Sequence, residues 1–134
     1  MSYHLFLNDS HQPEDIKWIE LPQVEWVIVR TYEEFVETIE KRGMPCIISF
    51  DHDIYPEHYA EYTAAHDERS LSKGIIRYPI FKEKTGYDAA LWLANYCVDR
   101  EMPIPLYYIH TLNPIGRMNI FSILESARQA MSKE

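Results

Sequence analysis

"MPCIISFDHD", residues 44–53, joins a short apolar run to two carboxylates around an imidazole. Residues 44–50 read as a strand, and Asp51, His52 and Asp53 follow at its C-terminal end. An uncompensated buried charge is expensive. A hydrophobic strand that ends in Asp-His-Asp therefore needs something at that end to stabilise the carboxylates. Just upstream, residues 32–42 carry Phe35, Val36 and Ile39 at helical spacing, and Gly43 supplies the stop. Helix followed by a buried strand is half of an alternating α/β unit.

The same alternation extends in both directions. Residues 3–8 read as a strand ending at Asp9, and a short helix starts at Pro13, a residue suited to a first turn. Residues 26–31 are β-branched and apolar on both faces, as in a strand covered on both sides. Residues 85–100 form a helix with Tyr87, Ala90, Leu91, Ala94, Cys97 and Val98 on one stripe, opened by a Thr85–Asp88 capping box. Residues 105–109 are the fourth strand, and the last helix runs over about 114–131. Strands alternating with helices imply a parallel sheet of about four strands with helices on both faces, and right-handed crossovers leave few topologies. The chain reads as a single domain over 1–134, with a long insertion at about 54–84 after the third strand.

The sequence has 134 residues, 46% hydrophobic and 25% charged, with a formal net charge of -8. That charge argues against broad electrostatic capture of a nucleic-acid backbone, though not against a local pocket for one phosphate. No apolar run is long enough to span a bilayer, and no basic region precedes the first apolar segment, so a cytoplasmic protein with no membrane contact is expected. Cys46 and Cys97 lie in apolar stretches and are expected to be buried free thiols.

In an open α/β sheet, ligands bind beyond the carboxyl ends of the strands, where the strand order reverses. Three of the four strands end in chemistry: Asn8-Asp9, Asp51-His52-Asp53, and His110-Thr111-Leu112-Asn113. With the order 2-1-3-4, Asp9 and Asp51 stand side by side. Adjacent carboxylates repel, so one protonates or a hard cation such as Mg²⁺ sits between them. Taken singly, Asp9 reads equally as a turn residue, Asp51 or Asp53 as a cap, and His110 as a satisfied half-buried histidine. Their meeting at one sheet edge favours a shared site. Asn113 and Pro114 suit the N-cap and first turn of the last helix, which places Gly116 and Arg117 at an anion-binding helix start. The plainer alternative for Arg117 is a surface ion pair.

In the insertion, Tyr55, Tyr59, Tyr62 and His66 share one face of a helix beginning near Pro56. That face either packs on the body or forms a lid that stacks a base. A zinc site from His52, His58 and His66 is a weaker option, because neither cysteine has metal-ligand spacing.

Taken together, "LFLNDSHQP", "VRTYEEF", "ISFDHD", "TGYDAALWL" and "IHTLNPIGRMNI" resemble the cyclic-phosphate-processing receiver-like family, a divergent relative of response-regulator receiver domains. The resemblance implies a receiver-like (flavodoxin-like) α/β fold and processing of cyclic phosphates, at 2′,3′-cyclic phosphate ends of RNA or on a small cyclic nucleotide. It implies metal positions at Asp9, Asp51 and Asp53 for Mg²⁺ or Mn²⁺, and catalytic positions at Asp51, His52, His110 and Arg117. It also implies phosphate or substrate contacts from Thr111, Asn113, Gly116 and Asn119. The chain departs from the ordinary receiver pattern: Asn8 replaces the first paired acid, His11 stands where the family often has Arg, and no fifth strand with a terminal Lys follows the last helix. The leading expectation is a metal-assisted phosphoesterase. The alternatives are a non-catalytic nucleotide-binding module and a degenerate phosphoacceptor receiver. Oligomeric state stays open.

Overall fold

The computed structural model describes residues 2–67, 73–78 and 81–132. Four parallel strands form one sheet: β1 (His4–Leu7), β2 (Trp26–Val29), β3 (Ile47–Phe50) and β4 (Leu106–Ile109). Their order is β2-β1-β3-β4, so the switch point lies between β1 and β3, as the sequence predicts. Four helices accompany them: α1 (Tyr32–Arg42), α2 (Pro56–His66), α3 (Gly86–Asp99) and α4 (Pro114–Met131). The short helix expected at Pro13 is a single 3-10 turn, Pro13–Asp15.

Side chains of a strand alternate between its two faces. Leu5 and Leu7, with Ile48 and Phe50, enter the main core, where they meet Phe35 and Ile39 of α1, Leu93 of α3, and Ile120 and Leu124 of α4. Phe6 alternates to the other face, and its ring stacks on His110 and meets Trp26 edge-on. The helical cover is thus uneven. α1, α3 and α4 share the main core, whereas the β1–β2 connection lies over the Phe6 face, with Ile16 buried and Ile19 beside Tyr108.

Two sequence expectations change. β2 is an edge strand and only Val29 in it is buried, so its two-sided apolar pattern does not reflect cover on both faces. Cys46 is exposed, because β3 begins only at Ile47 and leaves the cysteine in the entering loop; Cys97 is buried, and both thiols are free. Within the stretch 54–84, the helix expected to begin near Pro56 is the eleven-residue α2.

Polar side chains of α2 hold described parts of that stretch to the helix. His58 accepts from the Ile54 backbone N–H at Nδ1 (3.0 Å) and donates from Nε2 to the Glu83 carbonyl (2.8 Å). Arg77 grips Glu61 through two nitrogens, Nε at 3.0 Å and Nη2 at 2.8 Å. No described helix is long and apolar enough to cross a membrane.

Candidate functional site

The strand order brings the ends of β1, β3 and β4 together. Backbone bonds carry the ladder past the strands: Asp51 N–H to Leu7 O (3.0 Å) and His110 N–H to Phe50 O (2.9 Å). Above these ends lies a cavity of about 200 Å³. Asn8, Asp51, Asp53, His110, Thr111 and Asn113 form its floor, and His11, Trp18, Tyr59, Tyr62 and Leu112 its walls.

Asp51 is buried, and its carboxyl pKa is pushed up to about 7. Burial is the main cause, and the charges of Asp53 and Asp9 add to it, against the His52 backbone N–H and the Thr111 hydroxyl. Asp51 also sits under α3. Gly86 opens that helix and its N–H donates to His52 O at 2.9 Å; a Cβ there would overlap the Asp51 carbonyl oxygen.

His110 is held in one protonation state. Asn8 Oδ1 accepts the Ser10 and His11 backbone N–H groups at 3.0 and 2.9 Å, so its Nδ2 faces His110 Nε2 at 3.0 Å. That nitrogen is therefore an acceptor, and the proton sits on Nδ1, donated to Ser49 Oγ at 2.7 Å. Burial, with the nearby His11, lowers its pKa to about 3. Both ring nitrogens are engaged within the protein, which leaves neither for a substrate.

His52 is likewise committed. Its Nδ1–H donates to Asp53 Oδ1 (2.7 Å), so its Nε2 accepts the Tyr78 hydroxyl (2.9 Å). The Tyr78 oxygen in turn accepts from Asn119 Nδ2 at 2.9 Å. Asn113 caps α4 through Gly116 N–H at 3.0 Å and donates from Nδ2 to both Asp53 oxygens. Gly116 is required by close approach, since a Cβ there would lie 2.5 Å from His52 Cγ. His52, Asp53, Asn113, Gly116 and Asn119 thus form one network that locks the start of α4 and Tyr78 onto the end of β3.

Arg117 lies apart from the cavity. Its side chain is exposed and reaches the Ile109 carbonyl at 3.4 Å, beside Tyr108, Met118 and Phe121 at the β4 edge. The α4 start does not bring it over the floor, because the Gly116 N–H that would meet an anion is taken by Asn113. Among the described residues, no Lys or Arg lines the cavity. Asp9 stands at the rim, where Tyr59 donates its hydroxyl to Oδ1 at 3.1 Å.

The donors suit a hard divalent cation in part. The charge of Asp9 adds, after burial and Asp53, to the raised pKa of Asp51, the condition a cation relieves. Both Asp53 oxygens already accept hydrogen bonds, and among the described residues no three His, Cys, Asp or Glu side chains are grouped to share one ion. The set Asp9, Asp51 and Asp53 therefore does not form a three-carboxylate cage, and the same holds for His52, His58 and His66.

Two cavity residues escaped the motif reading in this role, His11 and Trp18, whereas Tyr59 and Tyr62 lie on the helix face read as packing or a lid. The tyrosines were legible as one face of α2. Trp18 carried no signal, because it lies in an irregular connection. Arg30, also unremarked, clamps the rim by donating to Asn8 O (3.0 Å) and His11 O (2.8 Å).

No curated protein and no solved structure gives a significant match to the chain. The family model for the cyclic-phosphate processing receiver domain matches residues 3–126, nearly the whole sequence, and the chain belongs to that family.

Proposed function

We propose that the cavity hydrolyses a cyclic phosphate, such as the 2′,3′-cyclic end of an RNA or a small cyclic nucleotide. The observation that carries this reading is the buried Asp51 in a cavity lined by Asp51 and Asp53 and, among the described residues, by no Lys or Arg. A phosphate enters such a cavity only with a cation, so the same residues that repel one another argue for Mg²⁺ or Mn²⁺ held by Asp51 and Asp9. When bound, the cation neutralises the phosphate and polarises its P–O bonds.

The chain's own residues supply position. Thr111 and the His52 backbone N–H fix the Asp51 carboxyl, Asn8 and neutral His110 keep the floor rigid, and the His11 ring offers a hydrogen bond from the wall. Water adds its hydroxide to phosphorus, one ribose–phosphorus oxygen bond breaks, and the ribose oxygen takes the proton, giving a phosphomonoester.

The test is an oligonucleotide with a 2′,3′-cyclic phosphate end, incubated with protein and Mn²⁺. Conversion to a monoester by wild type, at least 100-fold slower with Asp51→Asn, supports the reading; equal conversion by both rejects it. A binding module without turnover is the second reading, favoured by the engagement of both ring nitrogens of His52 and of His110. Tight binding with an intact cyclic phosphate selects it.

A further inference from the structure

Three aromatic side chains on the cavity wall share an unusual arrangement. The Trp18 indole N–H donates to the His110 carbonyl at 2.6 Å, the Tyr59 hydroxyl to Asp9, and the Tyr62 hydroxyl to Leu112 O at 3.3 Å. Each ring is anchored by its polar tip to the floor or rim. Yet Trp18 remains 40% exposed and Tyr59 42%. A tryptophan that served only to satisfy the His110 carbonyl could bury its ring in the adjoining core. Here the indole is tethered beside the polar floor, with the His11 ring edge-on to it at 6.2 Å. A ring already fixed loses little conformational entropy when a ligand stacks on it.

We infer that Trp18 is the stacking wall for the heterocyclic base of a nucleotide whose phosphate lies over Asp51. The inference rests on the cyclic-phosphate reading and deepens it. The ligand is a nucleoside cyclic phosphate or the last nucleotide of an RNA, rather than a cyclic phosphate without a base. Stacking is tolerant of base identity, and nothing on the wall is arranged to read a Watson–Crick edge. Base–aromatic stacking contributes about 1–3 kcal/mol, which is about a 5- to 150-fold preference.

The experiment measures binding of the full chain, with Mg²⁺, to adenosine 2′,3′-cyclic phosphate and to methyl ribofuranoside 2,3-cyclic phosphate, which has no base. Product is followed in the same samples. Wild type is expected to prefer the adenosine ligand at least about tenfold. Trp18→Ala is expected to erase that preference and leave affinity for the base-free ligand unchanged. Trp18→Phe keeps a stacking ring but loses the N–H, and is expected to retain most of the preference. Equal wild-type affinities overturn the inference. So does a Trp18→Ala loss shared by both ligands, or Trp18→Phe behaving as Trp18→Ala, since those outcomes mark a structural tether. Discrimination without product retains the inference and removes the hydrolytic reading; wild type binding neither ligand removes both.

Discussion

His110 Nε2 lies 3.0 Å from Asn8 Nδ2, and this pair makes a buried imidazole of the rim a neutral acceptor. Asn8 occupies the place where an acid would pair with Asp9. An acid there would attract a proton to His110; the amide repels one. The substitution and the neutral histidine are two parts of one arrangement, with Asp51 as the nearby group whose proton affinity moves the other way.

Opposite pH slopes follow from that arrangement. His110 has a lowered folded pKa, so its contribution to stability is full above 6.5 and is lost as pH falls toward about 3. Asp51 has a raised folded pKa, so folding favours its protonated form, and stability declines as pH rises from 3.8 to about 7. Between about pH 4 and 6.5 the two slopes oppose each other, each up to about 1.4 kcal/mol per pH unit. Urea unfolding in EDTA should show a shallow wild-type profile there. Asp51→Asn should become less stable with acid, and His110→Phe should show the reverse slope. Parallel profiles for the two variants would refute the assignment.

The glycines at the two helix starts should differ in cost. Gly116→Ala drives a methyl into the His52 ring, which can shift only by loosening its hydrogen bonds, and should destabilise by at least about 1–3 kcal/mol. Gly86→Ala meets the Asp51 backbone carbonyl, which cannot, and should be the more damaging. Urea midpoints order the two.

Tyr78→Phe deletes the hydroxyl that His52 Nε2 accepts from, leaving a fully buried ring nitrogen unsatisfied, at a cost of about 1–3 kcal/mol. Because Asn119 reaches the same oxygen, Asn119→Ala in the Tyr78→Phe background should add less than it does alone. A double-mutant cycle by thermal melting measures the coupling; strict additivity contradicts the network.

Arg117→Ala should leave affinity for a cyclic phosphate within about twofold, since a surface side chain away from a site has little effect on it. Ligand titration checks this. A tenfold loss would return Arg117 to the phosphate.

The sheet and the rim were legible in the sequence, because alternation, helix caps and the polar strand ends are local signals. Crossover rules left a few strand orders, of which the one assumed, 2-1-3-4, is observed, and topology and the family resemblance together placed Asp51 at the rim. The roles of His52 and Arg117 were not legible. Sequence spacing puts both next to the floor, but side-chain direction is set by partners that spacing does not show: Tyr78 is 26 residues from His52, and Arg117 turns back to the Ile109 carbonyl. Trp18 was hidden for the same reason, since its tether to His110 spans 92 residues of an otherwise irregular connection and the sheet that follows.

The central claim is that the Asp51 cavity turns over a cyclic phosphate with a divalent cation. Phosphorus NMR of adenosine 2′,3′-cyclic phosphate with protein and Mg²⁺ tests it most directly. The account requires the cyclic resonance to be replaced by a monoester resonance with wild type, and to persist with Asp51→Asn or excess EDTA. A cyclic resonance unchanged by wild type, or lost equally with Asp51→Asn, contradicts it.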